Sequence, residues 1–267
     1  MITTHRLGIY WKIWHTIAVS AFQETFLNRW VMALFLFGKA LRFSMSLFFL
    51  LILQRTITGF AGYTTDQVII FFLTYQFTDG LTQILYRGVY MFSQQVRSGE
   101  LDFYLSKPLN PLFRILTGKP DIIDALFFVP TTFVSFFLVS RLHVSVTPTS
   151  FLLYCALLVN SFLIGTAFHI FVICLGVLTT EVDNAIMLYR DTTALSRFPV
   201  NMYAEPLRFA FFFIIPIGVM NTVPAQVLLQ LQPSVTVLFT VLVGVGFFLL
   251  SLFAWKFSIR KYTSAGG

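Results

Sequence analysis

The stretch Arg97-Ser-Gly-Glu-Leu-Asp-Phe-Tyr-Leu-Ser-Lys-Pro-Leu-Asn-Pro111 is a polar island in a chain that is otherwise largely apolar. It combines charged residues with one glycine and two prolines, which interrupt helices at fixed positions. Gly99 is the residue type that commonly ends a helix, and Glu100 and Asp102 suit the first turn of the next helix, where the dipole is positive. Pro108 stops that second helix. The stretch therefore predicts short helices with defined breaks.

The same punctuation extends through residues 88–120, which are too polar to insert into lipid. Asn110 followed by Pro111 is a helix N-cap with proline at the first helical position. Gly118 closes that third short helix, and Asp121 can cap the next apolar segment. A short helix with both charged and apolar side chains suits docking into a partner's groove, although an ordinary connector at the membrane surface fits the same residues.

The rest of the chain has the composition of a membrane protein. It contains 57% hydrophobic and only 11% charged residues over 267 positions, with a mean hydropathy of +0.81, whereas soluble domains carry about 25% charged residues. A membrane-crossing helix needs about 20 predominantly apolar residues. Six segments qualify, giving an all-α membrane protein with six transmembrane helices in one domain, 1–267: 30–54, 66–87, 121–141, 151–178, 206–222 and 234–256.

Two further regions have their own patterns. Residues 1–28 place apolar and aromatic side chains at helical spacing, which predicts an amphipathic helix lying in the membrane interface; a solvated helix packed on a partner is the alternative. The fifth span is short and interrupted by Pro216, so we expect a re-entrant hairpin over 217–233 outside the cytoplasm. Irregular backbone is tolerated at membrane depth only where protein or a cavity surrounds it.

The distribution of lysine and arginine orients these spans. With both termini in the cytoplasm, two cations (Arg55 and Arg141) fall outside and fourteen fall inside. The inner set is Arg6, Lys12, Arg29, Arg87, Arg97, Lys107, Arg114, Lys119, Arg190, Arg197, Arg208, Lys256, Arg260 and Lys261. Such a bias is the usual signal for cytoplasmic loops. It also accounts for the net charge of +7 without a nucleic-acid partner.

Three charged residues remain inside predicted spans: Lys39 and Arg42 in the first and Asp79 in the second. Each cation costs about 2.5–3.5 kcal/mol at the centre of a membrane helix on insertion scales. Arg42 and Asp79 both lie about 20 Å from the outer end of their helices, at 1.5 Å per residue. We therefore predict an Arg42–Asp79 pair with Lys39 nearby or extended toward the inner surface, serving either packing or transport.

Two stretches of the sequence resemble the permease subunits of type-2 ABC exporters, and in particular the six-span, daunorubicin-resistance-like or uncharacterised ABC permeases. The first is Arg97–Pro111; the second runs from Arg197-Phe-Pro-Val-Asn-Met-Tyr203 through Ile215-Pro-Ile-Gly218 to Val223-Pro-Ala225. The resemblance implies an N-terminal elbow helix and a coupling helix, about Phe92 to Leu105, between spans two and three. The ATPase-coupling residues that it implies are Arg97, Gly99, Glu100, Leu101, Asp102, Leu105 and Pro108.

The resemblance further implies a second permease, identical or a sister subunit, and two copies of a cytoplasmic ATPase, in the inner membrane. ATP and Mg would bind that ATPase, because this chain has no Gly-x-x-x-x-Gly-Lys-Ser/Thr phosphate loop. We predict no catalytic, cofactor or metal site in the chain itself. Its phenylalanines suit a hydrophobic or amphipathic cargo and equally suit lipid contact. The alternative function is a secondary transporter that uses the Arg42 and Asp79 charges.

Overall fold

The computed structural model describes residues 4–56, 59, 62–179, 183–233 and 235–263. In these ranges the regular elements are helices, in agreement with the predicted all-α class. In chain order they are α1 (Thr4–Leu27), α2 (Arg29–Thr56), α3 (Thr65–Tyr86), α4 (Phe92–Arg97), α5 (Glu100–Ser106), α6 (Pro111–Thr117), α7 (Ile122–Val139), α8 (Pro148–Thr179), α9 (Asp183–Leu195), α10 (Leu207–Phe209), α11 (Val223–Leu228) and α12 (Val235–Lys261).

Short tight or wide helical turns extend several of these helices. A 3-10 turn, Arg87–Met91, joins α3 to α4 without a break, and a second one covers Val200–Met202. Two π-helical turns, Ala210–Ile214 and Gly218–Thr222, follow α10 and precede α11. The second predicted span therefore continues as one helical run into the polar stretch.

Among the residues described, five helical stretches are long and apolar enough to cross a membrane: Arg29–Ile52, Thr65–Arg97, Ile122–Val139, Pro148–Thr179 and Val235–Lys261. They coincide with the first four and the sixth of the predicted spans. The sixth candidate is a pair of short helices, Leu207–Ile214 and Gly218–Leu228, bent by 77° at the break. Pro216 lies in that break, so the predicted fifth span, 206–222, is not a continuous helix.

Helix α8 lies at the centre of the bundle, with α3 and α12 parallel to it. The hydroxyls of Thr74 and Tyr154 are 3.2 Å apart, and those of Tyr86 and Thr166, further along the same two helices, are 2.7 Å apart. On the far side of α8, Asn160 Nδ2 donates to the Thr240 carbonyl of α12. These buried hydrogen bonds fix the register of three helices.

Helix α9 lies beside α3, and this corrects one part of the charge count. The guanidinium carbon of Arg190 is 5.8 Å from the Tyr90 ring centroid and that of Arg197 is 5.3 Å from the ring of Tyr75, so α9 runs antiparallel to α3. The sequence argument had placed both arginines in a cytoplasmic loop. Arg190 lies beside Tyr90, at the level of residues 88–120, whereas Arg197 lies beside Tyr75, further along α3. The packing of this polar helix against α3 could not be predicted from its own residues.

Arg208 also belongs elsewhere. It pairs with Glu205 and borders the same cavity as Thr236 near the start of α12, at the opposite end of the bundle from Lys256. Twelve of the eighteen cations then lie on the side of residues 88–120 and three on the other. The revised distribution retains the bias from which the orientation was predicted.

The bent pair is held in the middle of the bundle by buried polar groups. Ser161 of α8 donates to the carbonyl of Met220, and Thr78 of α3 donates to Asn221 Oδ1. Asn221 Nδ2 in turn donates to Ser196 Oγ at 2.6 Å. Because protein surrounds the turn Gly218–Thr222, its backbone groups find partners away from water and lipid.

Candidate functional site

The polar stretch forms the short helices that its punctuation predicts. Helix α4 ends at Ser98, and Gly99 adopts a left-handed φ of 76° before α5 begins. A residue with a Cβ is strained in this conformation. Asn110 accepts hydrogen bonds from the backbone of Leu112 and Phe113 at the start of α6. The predicted breaks at these positions are confirmed.

Helix α5 has one face inside the protein and one face outside. Leu101 is fully buried and belongs to the same apolar cluster as Val96, Leu112 and Ile173, so it anchors α5 to α4, α6 and α8. Phe103 is 57% exposed, and the ammonium of Lys107 lies 4.2 Å from its ring centroid. The helix thus presents an aromatic side chain outward from a fixed base.

A polar contact stiffens the same helix. The Tyr104 hydroxyl donates to Glu100 Oε2 at 2.9 Å, across one helical turn. Partial burial raises the pKa of Tyr104, and the hydrogen bond to Glu100 raises it further. The phenol therefore stays protonated at neutral pH and keeps donating to the carboxylate. The guanidinium of Arg114 on α6 lies 5.4 Å from the Tyr104 ring.

The predicted coupling residues divide by exposure. Arg97, Glu100 and Pro108 are exposed, Asp102 and Leu105 are half-buried, and Leu101 is inaccessible. The sequence presents Leu101, Phe103 and Leu105 alike, as apolar residues of one short helix. It could not distinguish the anchor from the outward-facing aromatic, because the position of the core was unknown.

A second candidate site is a charged cavity of about 530 Å³ between α2, α3, α7 and α9. On α3 it extends from Phe72 to Arg87, about 22 Å at 1.5 Å per residue. Its basic lining residues are Lys39, Arg42, Arg87, Arg190 and Arg197, and its acidic ones are Asp79, Asp121 and Asp124. The cavity brings together all three membrane-buried charges that the sequence singled out.

The pairing inside the cavity differs from the predicted one. Lys39 forms an ion pair with Asp124 of α7, and Arg87 Nε lies 3.4 Å from Asp121 Oδ2. Lys39 reaches Asp124 because α2 and α7 run side by side, a contact between residues 85 positions apart. No ion pair joins Arg42 to Asp79 among the residues that the structure describes.

Asp79 instead occupies a shared position. Gln83, one helical turn further along α3, lines the cavity beside it, as do Arg42, Arg190 and Arg197. Sequence reasoning missed Asp124 as a partner and missed Arg190 of α9 and Arg197 just after it as cavity residues. One signal was available in the sequence: Asp121 and Asp124 are three positions apart at the start of an apolar helix. This spacing places both carboxylates on the same face of the helix.

The remaining polar residue of note, His169 on α8, is a packed side chain. Its Nδ1 lies 2.7 Å from the Gly165 carbonyl oxygen, and its ring contacts those of Tyr86 and Tyr189 at 4.8 Å. Within the described ranges, no three His, Cys, Asp or Glu side chains are grouped so that they could hold a metal ion.

The apolar helices and the short polar helices beyond them define a multi-pass membrane protein. Residues 40–266 match the family described as ABC-2 family transporter protein. The chain therefore belongs to the ABC-2 transporter family, whose members are the permease subunits of ABC transporters. No curated protein matches the chain, and no solved structure matches it.

Proposed function

We propose that the chain is the permease of an ATP-driven exporter and that the outward face of α5 docks into a separate cytoplasmic ATPase. The observation that carries this proposal is the two-sided character of α5, with Leu101 fully buried and Phe103 exposed. A rigid base with an exposed aromatic residue suits insertion into a groove, because aromatic side chains dominate the energies of such contacts. ATP and Mg would be bound by that partner.

The topology that supports this role has both termini and α5 in the cytoplasm of an inner membrane. In it, α9 and the segment after it make the fifth crossing, beside Tyr90 and then Tyr75 of α3. The pair Leu207–Ile214 and Gly218–Leu228 would enter from the outer side and return. This hairpin begins earlier than the one predicted over 217–233.

Helix α1 would serve as the elbow helix along the inner surface. Its Tyr10 hydroxyl accepts a hydrogen bond from the Asn110 backbone at 3.1 Å, and its Glu24 pairs with Lys119. Both contacts tie α1 to the polar helices. Movement of those helices would therefore also move the interfacial helix.

A direct mechanical route leads from α5 into the membrane. Residues Thr65–Arg97 form one helical run, and Leu101 joins α5 to the inner end of that run. Closure of the ATPase around nucleotide would push α5, and the push would reach the face of α3 that carries Asp79 and Gln83. A two-state arrangement of this kind lets the partner bias the transport path.

The second permease of the assembly would cover apolar surface that this chain leaves exposed. Phe48 on α2 and Phe133 on α7 are both more than half exposed, as is Phe253 on α12. Each of these faces can be covered either by lipid or by the second permease. A secondary transporter remains the alternative, because the cavity places ionisable groups along a helix that crosses the membrane.

The test reverses one charge on α5. Glu100→Arg and Asp102→Arg should each abolish ATPase recruitment, or leave ATP hydrolysis running without transport, while the permease still inserts. Glu205→Arg is the matched control, since Glu205 is an exposed carboxylate at the other end of the bundle. Co-purification with the cognate ATPase and ATP turnover of the complex are the measurements.

If both α5 variants recruit the ATPase and couple normally, residues 88–120 are an ordinary connector and the docking proposal is wrong. Transport by the chain without any ATPase, driven by a proton or ion gradient, would favour the secondary transporter.

A further inference from the structure

The charged cavity contains more positive than negative groups, and the excess is local. Two of its three carboxylates are already engaged, Asp124 by Lys39 and Asp121 by Arg87. The remaining part of the cavity holds three arginines around Asp79. One carboxylate cannot neutralise three guanidinium groups, so this part carries a net positive charge.

The three arginines line the cavity from two parts of the chain. Arg42 belongs to α2, whereas Arg190 lies on α9 and Arg197 follows it. Arg197 Nε is buried and has no hydrogen-bond partner in the structure. An unsatisfied buried donor on a cation is costly, and guanidinium groups bind phosphate and carboxylate in a fixed fork geometry.

The walls of the cavity beside these charges are apolar. Phe43, Phe127 and Phe128 line it. Leu34 and Phe35 of α2 line it as well and are 71% and 57% exposed, so the apolar wall continues onto the outer surface of the bundle. A ligand that fits has a negatively charged group for the arginines and an apolar portion for this surface.

We propose that the cavity binds the anionic headgroup of an amphipathic molecule, held between Arg42, Arg190 and Arg197. This inference rests on the proposed transport function, for which it names a substrate class. Arg42 and Arg190 are exposed and Arg197 is half-buried. The three cations repel one another, and one further negative charge among them offsets that repulsion. Asp79 is the internal competitor of the ligand, because its negative charge lies in the same part of the cavity as these cations.

Binding of dodecyl phosphate to the purified full-length chain in dodecyl maltoside tests the proposal. Arg190→Gln and Arg197→Gln should each weaken binding about tenfold or more, as expected for a charge-assisted hydrogen bond. Arg260→Gln, at the end of α12 outside the cavity, is the matched control and should bind as the wild type does. Asp79→Asn should bind more tightly, a gain that misfolding cannot produce.

Competitors identify the source of the anion. Displacement by phosphatidylglycerol supports a site for anionic membrane lipid, and displacement by inorganic phosphate supports a site that reads the headgroup alone. Equal binding of dodecyltrimethylammonium, or unchanged affinity in both arginine variants and in Asp79→Asn, would overturn the proposal. The permease is measured without an ATPase, so this outcome is independent of the coupling test.

Discussion

The contributions of the two faces of α5 can be measured separately by truncating one side chain on each. Leu101 is fully buried, so Leu101→Ala leaves a cavity in the cluster that fixes α5 to the bundle. Substitutions of this kind cost about 3 kcal/mol, with a spread set by how far the site collapses. Phe103→Ala removes a side chain that is 57% exposed and its contact with Lys107, for a loss of stability within about 1 kcal/mol.

For binding of the ATPase, the truncation on the exposed face of α5 should have the larger effect. An aromatic anchor buried in an interface typically costs 2 kcal/mol or more on truncation, which is about thirtyfold in affinity. Phe103→Ala should therefore lower the affinity for the ATPase by about that factor, while the permease itself stays folded. Leu101→Ala should lower the thermal unfolding temperature of the permease in detergent and weaken the ATPase only through displacement of α5.

Two measurements on each variant are sufficient: thermal unfolding of the isolated permease and titration with its cognate ATPase. Phe103→Leu is a useful third variant, because it keeps an apolar side chain and should restore part of the affinity. The reasoning is refuted if Phe103→Ala binds the ATPase as the wild type does, or if Leu101→Ala leaves the unfolding temperature unchanged.

Two further predictions concern the bundle. A Cβ at Gly165 would lie 2.7 Å from Thr82 Cγ2, whereas one at Gly246 meets nothing within 4 Å. Gly165→Ala should therefore destabilise the permease by about 1–3 kcal/mol, and Gly246→Ala should leave its stability unchanged. Thermal unfolding of both variants in detergent is the measurement. Lys39→Met should destabilise the permease by several kcal/mol, because it leaves Asp124 unpaired. The double variant Lys39→Met with Asp124→Leu should recover much of that loss. The prediction is wrong if the double variant loses as much stability as the two single variants together.

Much of the polar region could be predicted because its determinants are local. A left-handed φ at Gly99, the Asn110 cap and the Asp121 cap each depend on residues within four positions. Glycine, proline and short polar side chains specify such conformations wherever they occur. The apolar spans were predictable for a similar reason, since their length and composition need no knowledge of neighbours.

The cavity could not be predicted to the same extent. Arg42 and Asp79 were expected at similar depth by counting along two antiparallel helices, and both line the same cavity. The choice of Asp124 as the partner of Lys39 depended on which helix lies beside α2. Counting residues gives a depth within a helix but gives neither its neighbour nor its rotation.

By itself, the sequence determined that this chain is an all-helical membrane protein with a jointed polar segment at Arg97–Pro111, because helix breaks and apolar length are local properties. The tertiary structure alone decided that Leu101 points inward and Phe103 outward, since both are apolar residues of one short helix. It also brought Arg190 and Arg197 beside α3, where they join Arg42 around Asp79. Those positions follow from contacts between distant parts of the chain, which no single segment encodes.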